Sequence, residues 1–382
     1  MKKVLMLTSV ASMIEQFNMY NIRLLQEMGY SVDVACNFIN GSTCSDECVL
    51  ELKEKLNEMS VNCYQVDFTR NVANLKQEYI AYKQVKKIMT NNVYDFIHCH
   101  SPIGGLVGRL VAHATKTKVI YTAHGFHFFK GAPMLNWLLF YPIEWLCAFY
   151  TDILITINAE DYTRAQKNFH AKLVEYIPGV GVDTKKYREC KIDRDFLREK
   201  LGIKDDEVML FSVGELCDNK NHETAIRALN KVQNSKVKYY ICGKGKKKQE
   251  LLELAKELGL EKQLVLLGYR QDIHELCKAA DVFIFMSQRE GLGLAAIEGM
   301  ASGLPLISSN IHGIKDYSEN GKTGCSCAPK DVNGVAEGIN KCVMNPEWRK
   351  EVGQYNQIIA QKFDISEVQE KMKKIYAIME NT

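Results

Sequence analysis

The feature that most constrains the fold of this chain is a repeated alternation of apolar strand segments with helix-patterned segments. Residues 2–8 (KKVLMLT) are a buried-strand run, residues 13–28 have a helix pattern, and residues 31–36 return to a strand. The order continues to a strand at residues 152–157, and a second series begins with VMLFSV at residues 208–213. Because helices that connect successive strands of one sheet leave those strands parallel, each half predicts a Rossmann-like parallel sheet covered by helices.

A punctuated stretch separates the two series. Residues 176–183 (YIPGVGVD) hold one proline and two glycines, which is typical of an interdomain linker. A length of 382 residues suits two domains of ordinary size. The sequence therefore predicts an α/β protein with two parallel-sheet domains, the first of which ends near residue 178.

Composition and charge exclude several classes of protein. The chain is 46% hydrophobic and 25% charged, as globular domains are, and its net charge of +3 provides no broad basic face for nucleic acid. Its 13 cysteines are an odd number scattered through apolar segments, which indicates reduced thiols. Because the chain has no signal-peptide pattern and no apolar run long enough to span a bilayer, the expected location is the cytoplasm.

A helix start late in the second series is the strongest candidate for a binding site. An apolar strand at residues 282–286 runs into a turn that carries Glu290, and a helix opening at residues 291–293 places Glu298 in its second turn. The N–H groups of a helix start attract a diphosphate, and carboxylates accept hydrogen bonds from sugar hydroxyls. The pattern suits a sugar nucleotide, and the alternative for this segment alone is a surface turn before an ordinary buried helix.

The surroundings of the two glutamates resemble the donor-binding signature of the family 4 glycosyltransferases, retaining enzymes of the GT-B fold, and the chain is similar to bacterial capsular and exopolysaccharide glycosyltransferases. The matching positions are Ser287, Glu290, Gly291, Leu294, Glu298, Met300, Ala301, Ser302, Gly303 and Pro305. The resemblance implies two Rossmann-like domains that face each other across a cleft. Residues 1–178 would bind the acceptor, residues 179–362 would bind the donor nucleotide, and a helix at residues 363–382 would cross back to the first domain.

The same resemblance implies further donor contacts in the second domain. Lys220, at a helix start, matches the family's phosphate site. The family usually has an arginine after the glycine at Gly214, whereas this chain has Glu215, which is expected to turn aside, to pair with Lys220 or to contact the donor sugar. Arg270 and Ile273 match the loop that contacts the nucleobase. The remaining donor-binding positions are Gly243, Glu298, Gly291, Leu292, Gly293 and Leu294.

Histidines that follow strands are the candidate groups of the first domain. His100 and His124 each follow an apolar strand run, at the sheet edge where parallel strands meet ligands. Residues 122–125 (TAHG) resemble the family's histidine-glycine motif, which makes His124 the active-site histidine and His127 its substitute. Ser12, in a loop that leads into the first helix, is assigned to the acceptor side together with His100 and His127.

Residues 128–150 are crowded with aromatic side chains and are interrupted by Pro142. The segment is too short to span a membrane, but aromatic-rich amphipathic helices with a nearby lysine such as Lys130 rest on bilayer surfaces. A buried helix of the domain is the alternative. Similar segments occur in family members that use lipid-linked acceptors, which favours a peripheral contact with the cytoplasmic face of the membrane.

Together these features predict a retaining glycosyltransferase that moves a sugar from a UDP-sugar (UDP-GlcNAc, UDP-GalNAc or UDP-Glc) to a lipid-linked glycan in surface polysaccharide biosynthesis. His124, Glu290 and Lys220 are the expected catalytic residues. No Asp-x-Asp loop follows a strand, so the reaction is expected to need no metal and no cofactor, with Lys220 and the helix start stabilising the leaving diphosphate. The alternatives are a GT-B-type sugar-nucleotide epimerase and a non-catalytic sugar-nucleotide sensor.

Overall fold

The computed structural model describes residues 2–40, 45–69 and 74–381, and the chain divides into two compact units. Unit 1 combines residues 1–180 with residues 368–382, and unit 2 consists of residues 181–367. Unit 1 is therefore discontinuous in sequence, because the C-terminal end of the chain contributes its last helix.

Unit 1 is built on a parallel sheet. Its strands are β1 (Lys3–Val10), β2 (Ser31–Asn37), β3 (Asn62–Gln65), β4 (Phe96–His100), β5 (Lys118–Ala123), β6 (Ile153–Thr156) and β7 (Leu173–Tyr176). They form a 7-stranded sheet in the order β3-β2-β1-β4-β5-β6-β7. The helices are α1 (Ala11–Phe17), α2 (Met19–Glu27), α3 (Asp46–Glu58), α4 (Leu75–Asn91), α5 (Pro102–Thr115), α6 (Met134–Ala148) and α7 (Ala159–Asn168).

The central strands of this sheet are almost continuous apolar runs because helices cover both of its faces. Residues 4–7 of β1 are fully buried, and β1 pairs in parallel with both β2 and β4. Parallel pairing brings the carboxyl ends of β1, β4 and β5 to one edge of the sheet. Residues that follow these strands therefore share that edge, which is where ligands bind in such sheets.

The first helical segment differs from the expectation for residues 13–28. β1 is longer than predicted and α1 follows it directly, so Ser12 lies in a helix and not in a loop. Asn18 then divides the segment into α1 and α2. Its side chain donates a hydrogen bond to Met13 O (3.0 Å) and accepts one from Asn21 Nδ2 (3.1 Å). Asparagine interrupts helices in this way because its side chain competes with the backbone for hydrogen bonds.

Unit 2 repeats the architecture. Its strands are β8 (Val208–Val213), β9 (Val237–Cys242), β10 (Leu264–Gly268), β11 (Val282–Phe285), β12 (Leu306–Ser309) and β13 (Gly324–Cys327), in the sheet order β10-β9-β8-β11-β12-β13. The helices are α8 (Thr184–Arg188), α9 (Arg194–Lys200), α10 (His222–Val232), α11 (Lys248–Glu257), α12 (Ile273–Ala279), α13 (Leu294–Ala301), α14 (Val332–Met344) and α15 (Pro346–Ala360), with 3₁₀ turns at His312–Asp316 and Gln361–Phe363. The prediction of two parallel-sheet domains is confirmed.

The sequence pattern misses several short elements. β7 and β13 are strands of 4 residues at the sheet edges, and α8 and α9 are helices of 5 and 7 residues. Segments this short hold too few residues for a hydrophobic period to be recognised. β7 and β13 exist because β6 and β12 offer them backbone partners, which is information that lies elsewhere in the chain.

α6 is continuous through Pro142, so the expectation that this proline interrupts the segment is wrong. Proline removes only one helical hydrogen bond, and packing on both sides of it holds the helix together. Trp137 and Tyr141 pack against the core before the proline or beside it, and Glu144 is buried after it. Within the described residues, no helix has the length and apolar character that crossing a membrane requires.

The last helix, α16 (Ile365–Asn381), contributes its residues from 368 onward to unit 1. Its buried side chains recur at helical spacing and form one apolar face. They are Val368, Met372, Ile375, Tyr376 and Met379. This face is part of the interior of unit 1, because Tyr376 packs on Phe96 of β4 with ring centroids 6.0 Å apart.

Candidate active site

In unit 2, two loops at the carboxyl edge of the sheet are joined by hydrogen bonds. The loop after β8 and the loop after β11 meet where Gln288 N donates to Asn219 O (2.7 Å) and Asn219 Nδ2 donates to Arg289 O (3.0 Å). A further bond runs from Gln288 Nε2 to Asp218 O (2.9 Å). The two loops therefore present their side chains as one surface, although they lie 70 residues apart in the sequence.

Lys220 and Glu290, both predicted as catalytic residues, meet at this junction. Lys220 Nζ donates to Glu290 Oε1 at 2.5 Å, and the ammonium lies 5.1 Å from the centroid of the Phe285 ring. The two side chains are only 24% and 13% exposed, so solvent screens their attraction less than it screens a surface ion pair. A cation able to hold a phosphate thus lies beside a carboxylate able to hold a sugar hydroxyl.

Glycines keep the backbone open beside Lys220. A Cβ on Gly243 would lie 1.8 Å from Gly214 O, and a Cβ on Gly214 would meet the Lys220 side chain at 3.2 Å. Any residue larger than glycine would therefore displace the backbone at Gly243. Glu215 is exposed, and Lys220 pairs with Glu290 and not with Glu215. Because Lys220 pairs with Glu290, the expectation that Glu215 pairs with Lys220 is wrong.

The turn before α13 brings the backbone close to neighbouring side chains. Gly293, at the N-cap, has a φ of +93°, and a Cβ there would lie 2.6 Å from a phenylalanine ring. Leu292 is buried, and its carbonyl accepts a hydrogen bond from the Tyr317 hydroxyl at 2.9 Å. Its side chain therefore belongs to the core. Gly291 and Leu294 on either side of this turn are partly exposed.

Glu298, in the second turn of α13, faces Tyr187 of α8. The Tyr187 hydroxyl hydrogen-bonds to the Glu298 carboxylate, and Lys186 attracts that carboxylate electrostatically. Burial nevertheless raises the pKa of Glu298 above its ordinary value, because the other two influences offset only part of the desolvation. Tyr187 could not be predicted from the sequence, since no motif connects α8 with α13.

The residues predicted to contact the base lie at the loop after β10. Arg270 Nε donates to Asp272 Oδ1 at 2.7 Å, and a second bond joins the guanidinium to the other carboxylate oxygen. This bidentate pair fixes the plane of the guanidinium, which is the geometry that stacking on a flat ring requires. Ile273 is partly exposed at the first position of α12.

In unit 1, three histidines form a cluster at the carboxyl edge of the sheet. β4 and β5 pair with His100 opposite Thr122, and His100 Nδ1 lies 3.0 Å from His124 Nε2. The rings of His98 and His100 have centroids 4.1 Å apart, and the Phe17 ring lies 5.5 Å from the His124 ring. The parallel sheet thus brings the predicted His100 and His124 into direct contact.

Burial controls the charge of this histidine cluster. Desolvation lowers the pKa of His98 to about 3, with a smaller contribution from His124, and it lowers the pKa of His124 to about 4. The pKa of His100 falls well below its ordinary value, first through burial and then through the charges that His98 and His124 would carry. All three imidazoles are therefore neutral near pH 7.

The other residues assigned to the acceptor side are placed differently. Ser12 is only 3% exposed in α1, so its side chain does not face solvent. The His127 ring lies 4.5 Å from the Phe140 ring of α6, and His127 O accepts a hydrogen bond from Asn136 Nδ2 at 3.0 Å. His127 thus contacts α6 and does not join the histidine cluster.

Across residues 2–40, 45–69 and 74–381, no group of three or more His, Cys, Asp or Glu side chains is arranged to hold a metal ion.

Two Rossmann-like units, each a parallel sheet covered by helices, have the architecture of the GT-B class of glycosyltransferases. A family model described as Glycosyl transferases group 1 matches residues 193–358, and one described as Glycosyl transferase 4-like matches residues 3–158. This chain is 35% identical to EpsD of Bacillus subtilis (strain 168), which is named a glycosyltransferase. The match covers 98% of this chain and 96% of EpsD. The chain belongs to family 4 of the glycosyltransferases.

Other similar proteins extend this comparison. The Escherichia coli UDP-Gal:alpha-D-GlcNAc-diphosphoundecaprenol alpha-1,3-galactosyltransferase is 30% identical over 66% of this chain and 67% of that protein. The crystal structure of Anabaena Alr3699/HepE with UDP-glucose has a TM-score of 0.80 at 20% identity, over 99% of this chain and 100% of that chain. The structure of WaaG, a glycosyltransferase involved in lipopolysaccharide biosynthesis, has a TM-score of 0.73 at 17% identity, over 98% of this chain and 99% of that chain. The likeness to these structures establishes the shared fold.

Proposed function

We propose that this protein is a retaining glycosyltransferase that moves a sugar from a UDP-sugar to a lipid-linked glycan during surface polysaccharide assembly. The observation that carries the proposal is the contact between Lys220 and Glu290, where two loops that follow parallel strands of unit 2 meet, with Glu298 on the helix after the second loop. A cation for the diphosphate and two carboxylates for sugar hydroxyls are the groups that a sugar nucleotide requires.

The names of similar proteins support the donor and acceptor classes. The Escherichia coli relative is named for UDP-Gal as donor and for a GlcNAc-diphosphoundecaprenol acceptor. HepE of Anabaena was crystallised with UDP-glucose. We infer that this chain uses a uridine nucleotide as donor and a glycan on a diphospho-lipid as acceptor.

Departure of the nucleoside diphosphate requires positive charge beside its phosphates. Lys220 and the N-terminus of α13 would supply this charge, so we propose that the reaction needs no metal ion and no cofactor. Glu290 would orient the donor sugar, Glu298 would hold the ribose, and His124 would orient the sugar being transferred. Attack by the acceptor on the face from which the phosphate leaves would retain the configuration without a protein nucleophile.

A panel of radiolabelled UDP-sugars tests this chemistry. Each sugar is assayed for hydrolysis and for transfer to lipid-linked acceptors, with and without EDTA, and the anomeric configuration of the product is read by NMR. We expect transfer from one UDP-sugar, retention of configuration and no effect of EDTA. Inhibition by EDTA would contradict the metal-free mechanism. Epimerisation of a UDP-sugar without acceptor would indicate an epimerase. Binding of a UDP-sugar without turnover would indicate a non-catalytic sensor.

The exposed face of α6 supports the lipid-linked acceptor. The outward residues recur at helical spacing, and every one of them is apolar. They include Met134, Leu135, Leu138, Leu139, Ile143 and Leu146, which are 73%, 63%, 67%, 52%, 40% and 54% exposed. An apolar face of this size is more than scattered surface hydrophobics explain, so it favours a surface contact over the alternative of a buried helix of the domain.

A lysine and two histidines lie at the ends of this apolar face. Exposed Lys130 lies a few residues before α6. At the other end, the His113 ring lies 4.2 Å from the Tyr150 ring and the His170 ring lies 4.7 Å from the Phe149 ring. An apolar face flanked by a lysine suits a membrane surface with anionic headgroups. We therefore propose that α6 rests on the cytoplasmic face of the membrane, where a lipid-linked acceptor would lie.

Vesicle binding by the full chain tests this contact. Leu138→Glu with Leu146→Glu is expected to abolish co-sedimentation with vesicles that contain anionic phospholipid, because carboxylates on this face would enter the apolar layer. Leu75→Glu is the matched control, since Leu75 of α4 is 77% exposed on the same unit. Trp137 and Trp145 are poorer probes because both pack against the core. Undiminished vesicle binding by the α6 variant would contradict the proposal.

A further inference from the structure

The hydrogen bond between His100 and His124 restricts where the protons of the histidine cluster reside. The two nitrogens that face each other are His100 Nδ1 and His124 Nε2, 3.0 Å apart. Both rings are neutral near pH 7, so each carries one N–H and one lone pair. A hydrogen bond of this length requires that one of the facing nitrogens carry a proton and the other not.

Either His100 donates to His124 or His124 donates to His100, and the other nitrogen of His100 decides between these two arrangements. His100 is 1% exposed, and within the described residues His100 Nε2 is buried and has no hydrogen-bond partner. If His124 donated to His100, the remaining proton of His100 would sit on this partnerless atom as an orphaned N–H. If His100 donates, the partnerless atom carries only a lone pair. A buried N–H without an acceptor is the rarer and costlier arrangement in proteins.

The surroundings hold His100 in this orientation. The neighbouring His98 ring, 4.1 Å from the His100 ring, is itself fixed at both nitrogens, with Nδ1 2.9 Å from the Tyr376 hydroxyl and Nε2 2.8 Å from Thr122 Oγ1. β4, β5 and α16 therefore support the ring beside His100. No carboxylate bonds to any of the three imidazoles among the described residues, so none of them is drawn toward a charged form by such a partner.

We infer that His100 is a positioning residue that donates from Nδ1 to His124 and thereby holds His124 in its Nδ1–H tautomer. His124 then acts on the substrate as a hydrogen-bond donor through Nδ1, since its Nε2 lone pair is already occupied. It does not act as a general base at Nε2. This inference rests on the proposed function, in which His124 orients the transferred sugar.

Nitrogen NMR of the full chain labelled with ¹⁵N-histidine reads the tautomers directly. The spectra of His100→Asn and His124→Asn identify the signals of the two residues by their loss. At pH 7 we expect protonated Nδ1 and unprotonated Nε2 for both. A proton on Nε2 of His124, or a charged ring there, would overturn the inference. This measurement needs no turnover, so it stands apart from any failure to find a donor sugar.

Paired amide variants test the consequence for the reaction. An asparagine amide at position 100 can place an N–H near the position of Nδ1, whereas the longer glutamine amide places it near that of Nε2. His100→Asn is expected to retain most of the wild-type kcat, and His100→Gln to lower kcat about tenfold or more with little change in the donor KM, as loss of an orienting partner does. Hydrogen-exchange protection of β4 and β5 controls for the folding of unit 1, in which His100 lies. Equal loss of kcat in both variants would overturn the inference.

Discussion

In the candidate donor site, Glu290 balances the positive charge of Lys220 when no donor is bound. Lys220 is already engaged by a carboxylate at 2.5 Å, and no arginine stands at position 215 to add charge. In the proposed function, an entering diphosphate would therefore compete with Glu290 for the ammonium. Donor binding would release Glu290 to accept hydrogen bonds from the sugar, which would couple phosphate binding to sugar positioning.

Glu290→Gln separates these two roles. Because the substitution frees Lys220 and removes a negative charge beside the diphosphate, we expect UDP to bind at least as tightly as it does to the wild type. Sugar transfer should fall about 100-fold or more, as it does when a group aimed at the reacting centre is removed. Calorimetry with UDP and the transfer assay measure the two effects. Lys220→Met is the control that should weaken UDP binding, and weaker UDP binding by Glu290→Gln would contradict the argument.

Because of Glu298, the affinity for the donor should change with pH in the acidic range. Burial raises the pKa of this carboxyl, so its ionised form is lost as pH falls through a value above the ordinary 4.5. A neutral carboxyl accepts fewer hydrogen bonds from the ribose. The affinity for UDP-glucose, used as a probe, is therefore expected to weaken on acidification while exposed glutamates are still ionised. The Glu298→Gln variant should bind more weakly at neutral pH and lack this weakening. If both proteins lost affinity equally on acidification, a group other than Glu298 would cause the loss.

At the scale of single elements, α6 shows how one buried charge orients a helix. Arg109 Nη1 donates to Glu144 Oε2 at 2.8 Å, the Tyr121 hydroxyl donates to Glu144 Oε1 at 3.2 Å, and the guanidinium lies 4.0 Å from the Tyr121 ring centroid. Glu144 is the only charged residue of α6 and faces inward. Together with the aromatic side chains that pack on the core, this inward-facing carboxylate leaves the aliphatic residues of α6 facing solvent.

Removing one member of the Arg109–Glu144 pair should lower the stability of unit 1 far more than replacing both members. Glu144→Ala leaves Arg109 buried without a counter-charge, and we expect a loss of about 3–5 kcal/mol of stability in unit 1. The double variant Arg109→Met with Glu144→Leu should recover most of it. Urea unfolding is followed by tryptophan fluorescence in a Trp348→Phe background, so that Trp137 and Trp145 report on unit 1 alone. Equal destabilisation by the single and double variants would show that the ion pair itself stabilises the helix.

The elements and the site differ in how far the sequence predicts them. Strands such as β1 and β8 are recognisable because their buried residues are consecutive, and Glu290 and Glu298 lie on one short segment. The contact between Lys220 and Glu290 depends on two distant loops joined by hydrogen bonds, and Tyr187 reaches Glu298 from a short helix with no period. Likewise, the sequence reveals the aromatic content of α6 but not which face turns inward, since that depends on Arg109.

At the scale of the whole molecule, each unit has its own apolar core, and only unit 1 depends on the far end of the chain. The five buried side chains that α16 adds to unit 1 would each contribute about 1.5–3 kcal/mol. Their sum is comparable with the whole stability of a domain, which is about 5–15 kcal/mol. We therefore expect unit 1 to complete its fold only when the residues of α16 are present, and we expect the continuous segment of unit 2 to fold without them.

An aspartate on the buried face of α16 should thus unfold unit 1 selectively. Ile375 is 3% exposed, and Ile375→Asp would bury a carboxylate without a partner, while Lys373→Asp places the same side chain on the exposed face of the same helix. Hydrogen exchange is expected to show loss of protection in β4 and β5 for Ile375→Asp, with protection retained in β8 and β11 and UDP binding preserved. Lys373→Asp should leave both units protected. Simultaneous loss of protection in both units would mean that unit 2 does not hold its fold alone, because the defect lies only in the interior of unit 1.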